Sequence, residues 1–294
     1  MSISRRALLV SAFACLAAQD TTFSTDVNVV NLFATVRGKD NHLISHLSKE
    51  DFELREDGRP QTIRYFSPET DLPLTLGLLV DTSRSQRTVL ETERRASYAF
   101  LERILRPDRD AAFVMSFDIR VRKLTDVTSD APTIRAALDA LRIPVLGSTL
   151  LYTAVKEASE QTMRKRKERK ALIILSDGVD VHSRVSLGTA IEYAQRADTA
   201  IYSVLFADRG APQRGRRALQ RLAAETGGTY FEVSGDQPIE KIYDRIQEEL
   251  RNQYSLGYRP DAAYTAAYRK IDLITKQKGL TVRTRDGYYP AGKQ

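Results

Sequence analysis

The sequence predicts an α/β fold, a doubly wound, mostly parallel sheet with shorter β-segments flanking it at the N- and C-terminal ends. Three observations predict it. Residues 74–80, 111–117 and 171–176 are continuous apolar runs of strand length, the pattern of strands buried on both faces. Amphipathic helical stretches separate them, and parallel strands need such crossovers, whose right-handed sense puts helices on both sides of the sheet. Outside residues 73–252 the texture changes to alternating apolar and polar residues broken by turn chemistry. The expected organisation is therefore a leader over 1–18, a β-module over 19–72, the α/β domain over 73–252 and a β-segment over 253–294.

Composition narrows the class further. A chain of 294 residues that is 42% hydrophobic and 28% charged can build a large core and is neither disordered nor a disulfide-stapled miniprotein. With three histidines and one cysteine it cannot assemble a zinc site of nitrogen and sulfur ligands at a familiar spacing, so any metal must be held by oxygen. Residues 1–18 read as an export signal, because Arg5 and Arg6 precede an apolar run over 7–18 that is too short to span a bilayer. Ser4, Arg5 and Arg6 ahead of Leu8 and Leu9 resemble a twin-arginine signal. Ala14 with Cys15 resembles a lipoprotein cleavage site preceded by an unfavourable Phe13, which would put a lipid anchor on Cys15. The expected location is extracytoplasmic, in the periplasm, at the cell surface or secreted, with no integral membrane segment once the signal is removed. Without residues 1–18 the formal net charge falls from +7 to +5, a mildly basic balance of the kind that serves solubility.

In the N-terminal flank, Val27, Val29, Leu32, Ala34 and Val36 alternate as in a half-buried strand, and 62–66 form another. Turn chemistry at 38–41 and 56–60, with Asp57 and Gly58 adjacent, predicts a hairpin. Between these, 47–52 reads as a helical turn capped by Ser48 with Asp51 three residues on. The α/β body opens with the strand 74–80, then a helix over 88–105, the strand 111–117 and an edge strand over 119–124 whose apolar residues alternate with Arg and Lys. Helices over 132–141 and 149–163, the strand 171–176, a helix over 185–197, a strand over 200–206, a helix over 215–226, a strand over 229–233 and a helix over 238–253 complete it. Strand patterns return at 254–258, 268–275 and 280–284, and 285–289 reads as a closing turn and strand. The two β flanks either pair in space as one sandwich around the inserted α/β body or stand as separate modules.

Chemistry gathers where a doubly wound sheet places ligands, at the carboxyl ends of strands near the switch in strand order. Asp81, Ser83 and Ser85 follow the first apolar strand in D-x-S-x-S spacing, so that after an abrupt turn one carboxylate and two hydroxyls can converge. Gly147, Ser148 and Thr149 form a second loop at a helix start, and Ser176, Asp177 and Gly178 a third at the end of a buried strand. One carboxylate among neutral hydroxyls leaves a divalent cation under-neutralised and open to one more anionic ligand. The set resembles the von Willebrand factor A domain with its metal-ion-dependent adhesion site, and all five motif positions are present. That resemblance implies that Asp81, Ser83, Ser85 and Thr149 surround Mg²⁺, or Mn²⁺ or Ca²⁺ in its place, and that Asp177 reaches the ion directly or through water. Intervals of 68 residues from Asp81 to Thr149 and 28 from Thr149 to Asp177 are those expected of such a domain. The segment 47–61 and the ending 285–289 extend the resemblance to exported bacterial von Willebrand A-related proteins of the Acidobacteria type.

Each feature has a plainer reading. Asp81, Ser83 and Ser85 would serve as helix caps, Thr149 as the N-cap of its own helix, and Asp177 with Gly178 as a turn. Those readings explain the loops singly, not their occurrence together on one sheet edge. Asp180 is expected to hydrogen-bond its own loop and His182 to be a solvated rim residue. The basic run 164–170 reads as a solvated helix end and 209–217 as a loop; neither interleaves aromatics, so no nucleic-acid partner is expected. Tyr254, Tyr258, Tyr264, Tyr268, Tyr288 and Tyr289 read as sheet packing. Catalysis is not expected. Position 83 is Ser where an aspartyl-phosphate enzyme needs a second acid, and the chain has no G-x-S-x-G elbow or phosphate-binding glycine loop. The expected function is an exported, metal-dependent protein-binding or adhesion module, its ion completed by an Asp or Glu from a protein partner. The alternative is a structural or assembly component of the cell envelope in which the ion mainly ties three loops together.

Overall fold

The computed structural model describes residues 29–68, 72–145, 147–206, 212–260 and 268–290. The export signal assigned to 1–18 and Tyr264 lie outside them. The first alternating run forms β1 (Val30–Arg37), with Leu32, Ala34 and Val36 directed into an interior. A 3-10 turn over Lys49–Asp51 follows, held as its sequence predicts: Ser48 donates from its backbone N–H and its Oγ to Asp51 Oδ2, at 2.8 and 2.9 Å. β2 (Phe52–Glu56) and β3 (Arg59–Gln61) make the expected hairpin. Its turn residues Asp57 and Gly58 have φ of 49° and 78°, the left-handed pair that matches the twist of the flanking strands. β4 (Ile63–Ser67) completes this flank.

β5 (Leu74–Asp81) is buried along its whole length. β6 (Ala111–Phe117), β7 (Val121–Lys123), β8 (Arg169–Ser176), β9 (Ala200–Leu205) and β10 (Tyr230–Glu232) join it in the order β10-β9-β8-β5-β6-β7, parallel throughout except for the edge strand β7. The crossovers carry α1 (Leu90–Ile104), α2 (Ala131–Asp139), α3 (Leu151–Glu157), α4 (Leu187–Arg196), α5 (Gln213–Thr226) and α6 (Ile239–Arg251). α1, α2 and α6 cover one face, over Leu76, Leu78 and Val80. α3, α4 and α5 cover the other, over Leu79, Phe113 and Ile174. Gly77 belongs to this second face, where Phe113 and Leu172 leave no room for a Cβ.

Local departures from the sequence expectation concentrate near the strand ends. α1 begins at Leu90 because a 3-10 turn over Arg84–Gln86 comes first. α3 begins at Leu151 and continues into a π-helical turn over Ala158–Thr162. Thr149 therefore precedes its helix and is not the N-cap, which falls on Leu150. Within the basic run, Arg169 is not solvated: it opens β8 at 3% exposure and donates from Nη1 to the Leu250 carbonyl at 2.6 Å. The stretch read as a loop over 209–217 is helical from Gln213, and 207–211 lie outside the described residues.

The chain then returns to the flank. β11 (Tyr254–Tyr258), β12 (Arg269–Thr275), β13 (Thr281–Arg283) and β14 (Gly287–Tyr288) pair with the N-terminal strands in two antiparallel sheets, β13-β1-β11-β4 and β14-β12-β2-β3. Each sheet draws strands from both ends of the chain. They enclose one core of Leu32, Phe52, Leu54, Tyr254, Leu256 and Leu273, with the Tyr254 ring edge-on to Phe52 at 5.3 Å. Tyr254, Tyr258 and Tyr288 are buried there, while Tyr268 is 39% exposed. The sandwich is fastened to the α/β body at α6, which runs almost directly into β11. Arg37 Nη2 lies 2.6 Å from Glu249 Oε1, and the other Glu249 oxygen accepts from Thr229 Oγ1 at 2.6 Å.

Candidate functional site

The strand order places β5 in the middle of the sheet, with β6 on one side and β8 on the other, so the crevice at the switch point lies between the carboxyl ends of β5 and β8. Asp81 closes β5 and Ser176 closes β8. Asp81 is held at both oxygens: Ser83 donates its backbone N–H to Oδ1 at 2.8 Å, and Ser176 donates its Oγ to Oδ2 at 2.6 Å. The Ser83 and Ser85 hydroxyls are 3.0 Å apart. Thr82, between them in sequence, turns the other way and donates to Asp118 Oδ2 at 2.8 Å. This alternation is the structural content of the D-x-S-x-S spacing.

The other two loops are stitched to each other. The Thr149 carbonyl accepts from the Val181 N–H at 3.0 Å, and Ser148 Oγ lies 2.6 Å from His182 Nδ1. Asp180 Oδ1 accepts from the Tyr152 N–H at 3.1 Å and from Ser183 Oγ at 2.6 Å, the loop-holding role expected of it. His182 is a rim residue but is bonded to Ser148 rather than simply solvated. Asp177 Oδ1 accepts from the Val179 N–H at 2.9 Å. The Arg84 side chain passes beside Gly147, joining the first loop to the second. Ser83, Thr149 and Asp177 are buried, and Ser85 is exposed.

Burial pushes the Asp81 carboxyl up to about 7; hydrogen bonds from Ser176 and Ser83 oppose the rise, and the nearby Asp177 charge adds to it. Among the described residues, no group of three or more His, Cys, Asp or Glu side chains is placed to hold a metal. A cation at this edge would have to draw on hydroxyls.

Residues 76–179 match the model of the von Willebrand factor type A domain. The α/β body has the von Willebrand factor type A (VWA) fold. No curated protein matches it in sequence. Among solved structures, proximal thread matrix protein 1 from the mussel byssus is 16% identical with a TM-score of 0.55, over 67% of this chain and 51% of that one. The same byssus protein with a zinc-occupied MIDAS motif is 15% identical with a TM-score of 0.53, over 66% of this chain and 49% of that one. The vWF domain of the type V pili tip protein Mfa5 from Porphyromonas gingivalis is 13% identical with a TM-score of 0.51, over 60% of this chain and 94% of that one. At these identities the likeness is one of fold. The chain spans about half the length of the byssus protein.

Within this VWA domain the sequence reading missed an interior polar group behind Asp81. Glu93 on α1 is fully buried and neither carboxyl oxygen has a hydrogen-bond partner; Gln86 Oε1 and Ser116 Oγ are likewise unpartnered. Burial holds the Glu93 carboxyl well above the usual carboxylate range, and the charge of Asp81 adds to the effect. A signal was available, since Glu93 falls on the helix stripe of Leu90, Ser97, Phe100 and Ile104, all buried. Among the described residues, no salt bridge engages Asp81, Glu93 or Asp177.

Proposed function

We propose that this chain is an extracytoplasmic, metal-dependent binding module. Its divalent cation, Mg²⁺ or in its place Mn²⁺ or Ca²⁺, is held by Asp81, Ser83, Ser85, Thr149 and Asp177 and completed by an Asp or Glu side chain of a protein partner. The observation that carries the proposal is the grip on Asp81: one carboxyl oxygen is fixed by its own loop through Ser83 and the other by Ser176 at the end of β8, beside two hydroxyls 3.0 Å apart. The donor set fits a hard cation, because every donor is oxygen and only two are acids. The buried acids Asp81 and Glu93 have no cationic side chain paired to either, so positive charge at this edge relieves a repulsion the fold otherwise carries. A bound divalent cation would supply an open coordination position for a carboxylate, while the five residues orient it and leave its charge under-neutralised. The byssus protein with its zinc-occupied MIDAS motif and the pilus-tip domain support this reading by analogy of fold. Among the described residues no helix is long and apolar enough to cross a membrane.

Titration calorimetry with Mg²⁺, Mn²⁺ and Ca²⁺ tests it, beside an Asp81→Ala control. One saturable site, lost in the control, is the expected result; equal heats from both proteins, with and without added acetate, would overturn it.

A second reading, a structural or assembly component of the envelope, is favoured by one observation. The β-sandwich is joined to α6 through the buried Arg37–Glu249 pair, a connection that an assembly component would use to carry force between its parts. A large Mg²⁺-induced rise in melting temperature without any gain in carboxylate binding would favour this alternative.

A further inference from the structure

The rim around the proposed ion position carries exposed cations. Arg84 on the loop after β5, Arg120 between β6 and β7, Arg184 on the loop after β8 and Arg214 in the first turn of α5 are all exposed, and among the described residues none of the four forms an ion pair. The first three stand on loops of this edge, and α5 reaches it through Gly215, which packs against the backbone of Asp177 and Gly178. Two acids of the same edge are bonded within the protein, and a third, Glu157, lines the neighbouring groove. Asp118 is bonded by Thr82 and Arg122, and Asp180 by Tyr152 and Ser183. Glu157 is half-buried, and desolvation raises its pKa.

Beside these arginines runs an open groove of about 780 Å³, bordered by Ile119, Ser148, Leu150, His182, Arg184 and Val185. Its apolar members come from three different loops. Two further apolar side chains stand in solvent on the same rim, Val145 at 85% exposure and Val181 at 51%. Cations and exposed aliphatics interleaved around one groove are the composition of a protein-binding surface, where apolar contacts supply affinity and charge supplies steering. A nucleic acid or a sulfated polysaccharide would use the arginines but leave the aliphatics without a partner.

We propose that this groove holds the polypeptide segment on either side of the partner's metal-completing carboxylate. That segment is acidic, with at least one further Asp or Glu facing Arg120 and Arg184 and an aliphatic side chain seated against Ile119, Leu150 and Val185. The proposal rests on the metal-dependent reading above and deepens it: one carboxylate completes the ion, and the surrounding charge and apolar surface select the chain that carries it.

The test uses a fluorescein-labelled heptapeptide of sequence Gly-Leu-Asp-Glu-Leu-Glu-Gly, with a heparin fragment and a short single-stranded DNA as anionic controls. Binding to the full chain is read by anisotropy in saturating Mg²⁺. The expected result is Mg²⁺-dependent binding of the peptide over both controls, weakened about tenfold or more by Arg120→Glu with Arg184→Glu, while the Mg²⁺ titration of that double variant is unchanged. Peptide binding that is lost in Asp81→Ala but kept in the arginine variant would overturn the groove and leave the ion. Binding lost in the arginine variant but kept in Asp81→Ala would keep the groove and overturn the metal reading. No binding of the peptide to the wild-type chain, or equal binding of the heparin fragment or the DNA, would overturn the proposal.

Discussion

Gly178 and Gly215 face each other so closely that neither has room for a Cβ. One added at Gly215 would overlap the Asp177 carbonyl, and one added at Gly178 would overlap the Gly215 carbonyl. Gly178 also has φ of 77°, the left-handed region that glycine enters without strain. The first turn of α5 thus serves as a backstop for the turn that presents Asp177. Gly215→Ala is expected to push this turn out of place, costing about 1–3 kcal/mol of stability as an overpacked contact. Denaturant unfolding and an Mg²⁺ titration check it, with the titration expected to weaken more than the fold. An unchanged Mg²⁺ affinity would show that Asp177 is not positioned from α5.

Glu93 gives a pH dependence with a definite sign. Burial first, and the charge of Asp81 second, raise its pKa in the fold, so folding takes up a proton at this group. The resulting penalty is absent below the unfolded value of about 4.3 and grows as pH rises toward the folded value. Glu93→Gln removes the ionisation while keeping the shape. The metal-free variant is expected to melt a few degrees above the wild type near pH 8 and at about the same temperature near pH 4. A lower melting temperature at pH 8 would mean that the ionised carboxylate is a stabilising element.

Ser176 Oγ donates to Asp81 Oδ2 and accepts from the Gly178 N–H at 2.9 Å, so one hydroxyl spans the first and third loops. Ser176→Ala leaves a buried N–H and a buried carboxyl oxygen short of a partner, an expected loss on the order of 1–3 kcal/mol. Ser176→Thr keeps the hydroxyl and is expected to recover much of it. Chemical denaturation of the two variants makes the comparison.

Much of this architecture was legible in the chain. Apolar runs such as 74–80, of strand length and bounded by turn signals, read as strands covered on both faces, and the D-x-S-x-S spacing at the end of one marked the candidate loop. Other features were hidden because their partners lie far apart in sequence. Arg84, Arg120, Arg184 and Arg214 are scattered through more than a hundred residues, and only the crossovers bring them to one edge. Glu93 is a single acid on an otherwise apolar stripe, easily assigned to the solvated face of α1. The pairing of β1 with β11 depends on the α/β body returning the chain to its starting edge, which local pattern does not encode. The helix expected from 149 begins at Leu151, so Thr149 precedes it and its carbonyl accepts from the Val181 N–H, a partner 32 residues away that the local pattern does not announce.

Arg37 and Glu249 make the fastening between sandwich and α6 testable. The Glu249 side chain is 1% exposed, and removing its arginine leaves a buried carboxylate with only a hydroxyl donor. Arg37→Ala is expected to cost about 3 kcal/mol. Combining it with Glu249→Leu should restore a large part, since the buried charge is then gone. Equal and additive losses from the two changes would indicate that the pair does not couple the two parts of the molecule.

The proposed function requires one divalent cation at the carboxyl ends of β5 and β8, within reach of Asp81, Ser83, Ser85, Thr149 and Asp177. The most direct measurement is anomalous diffraction at the manganese edge from crystals grown with Mn²⁺ and acetate. The expected result is a single peak bounded by the Ser83, Ser85 and Thr149 hydroxyls, with acetate density on its open side and no peak in Asp81→Ala crystals. A peak elsewhere, or none at Mn²⁺ concentrations that saturate the calorimetric signal, would contradict it.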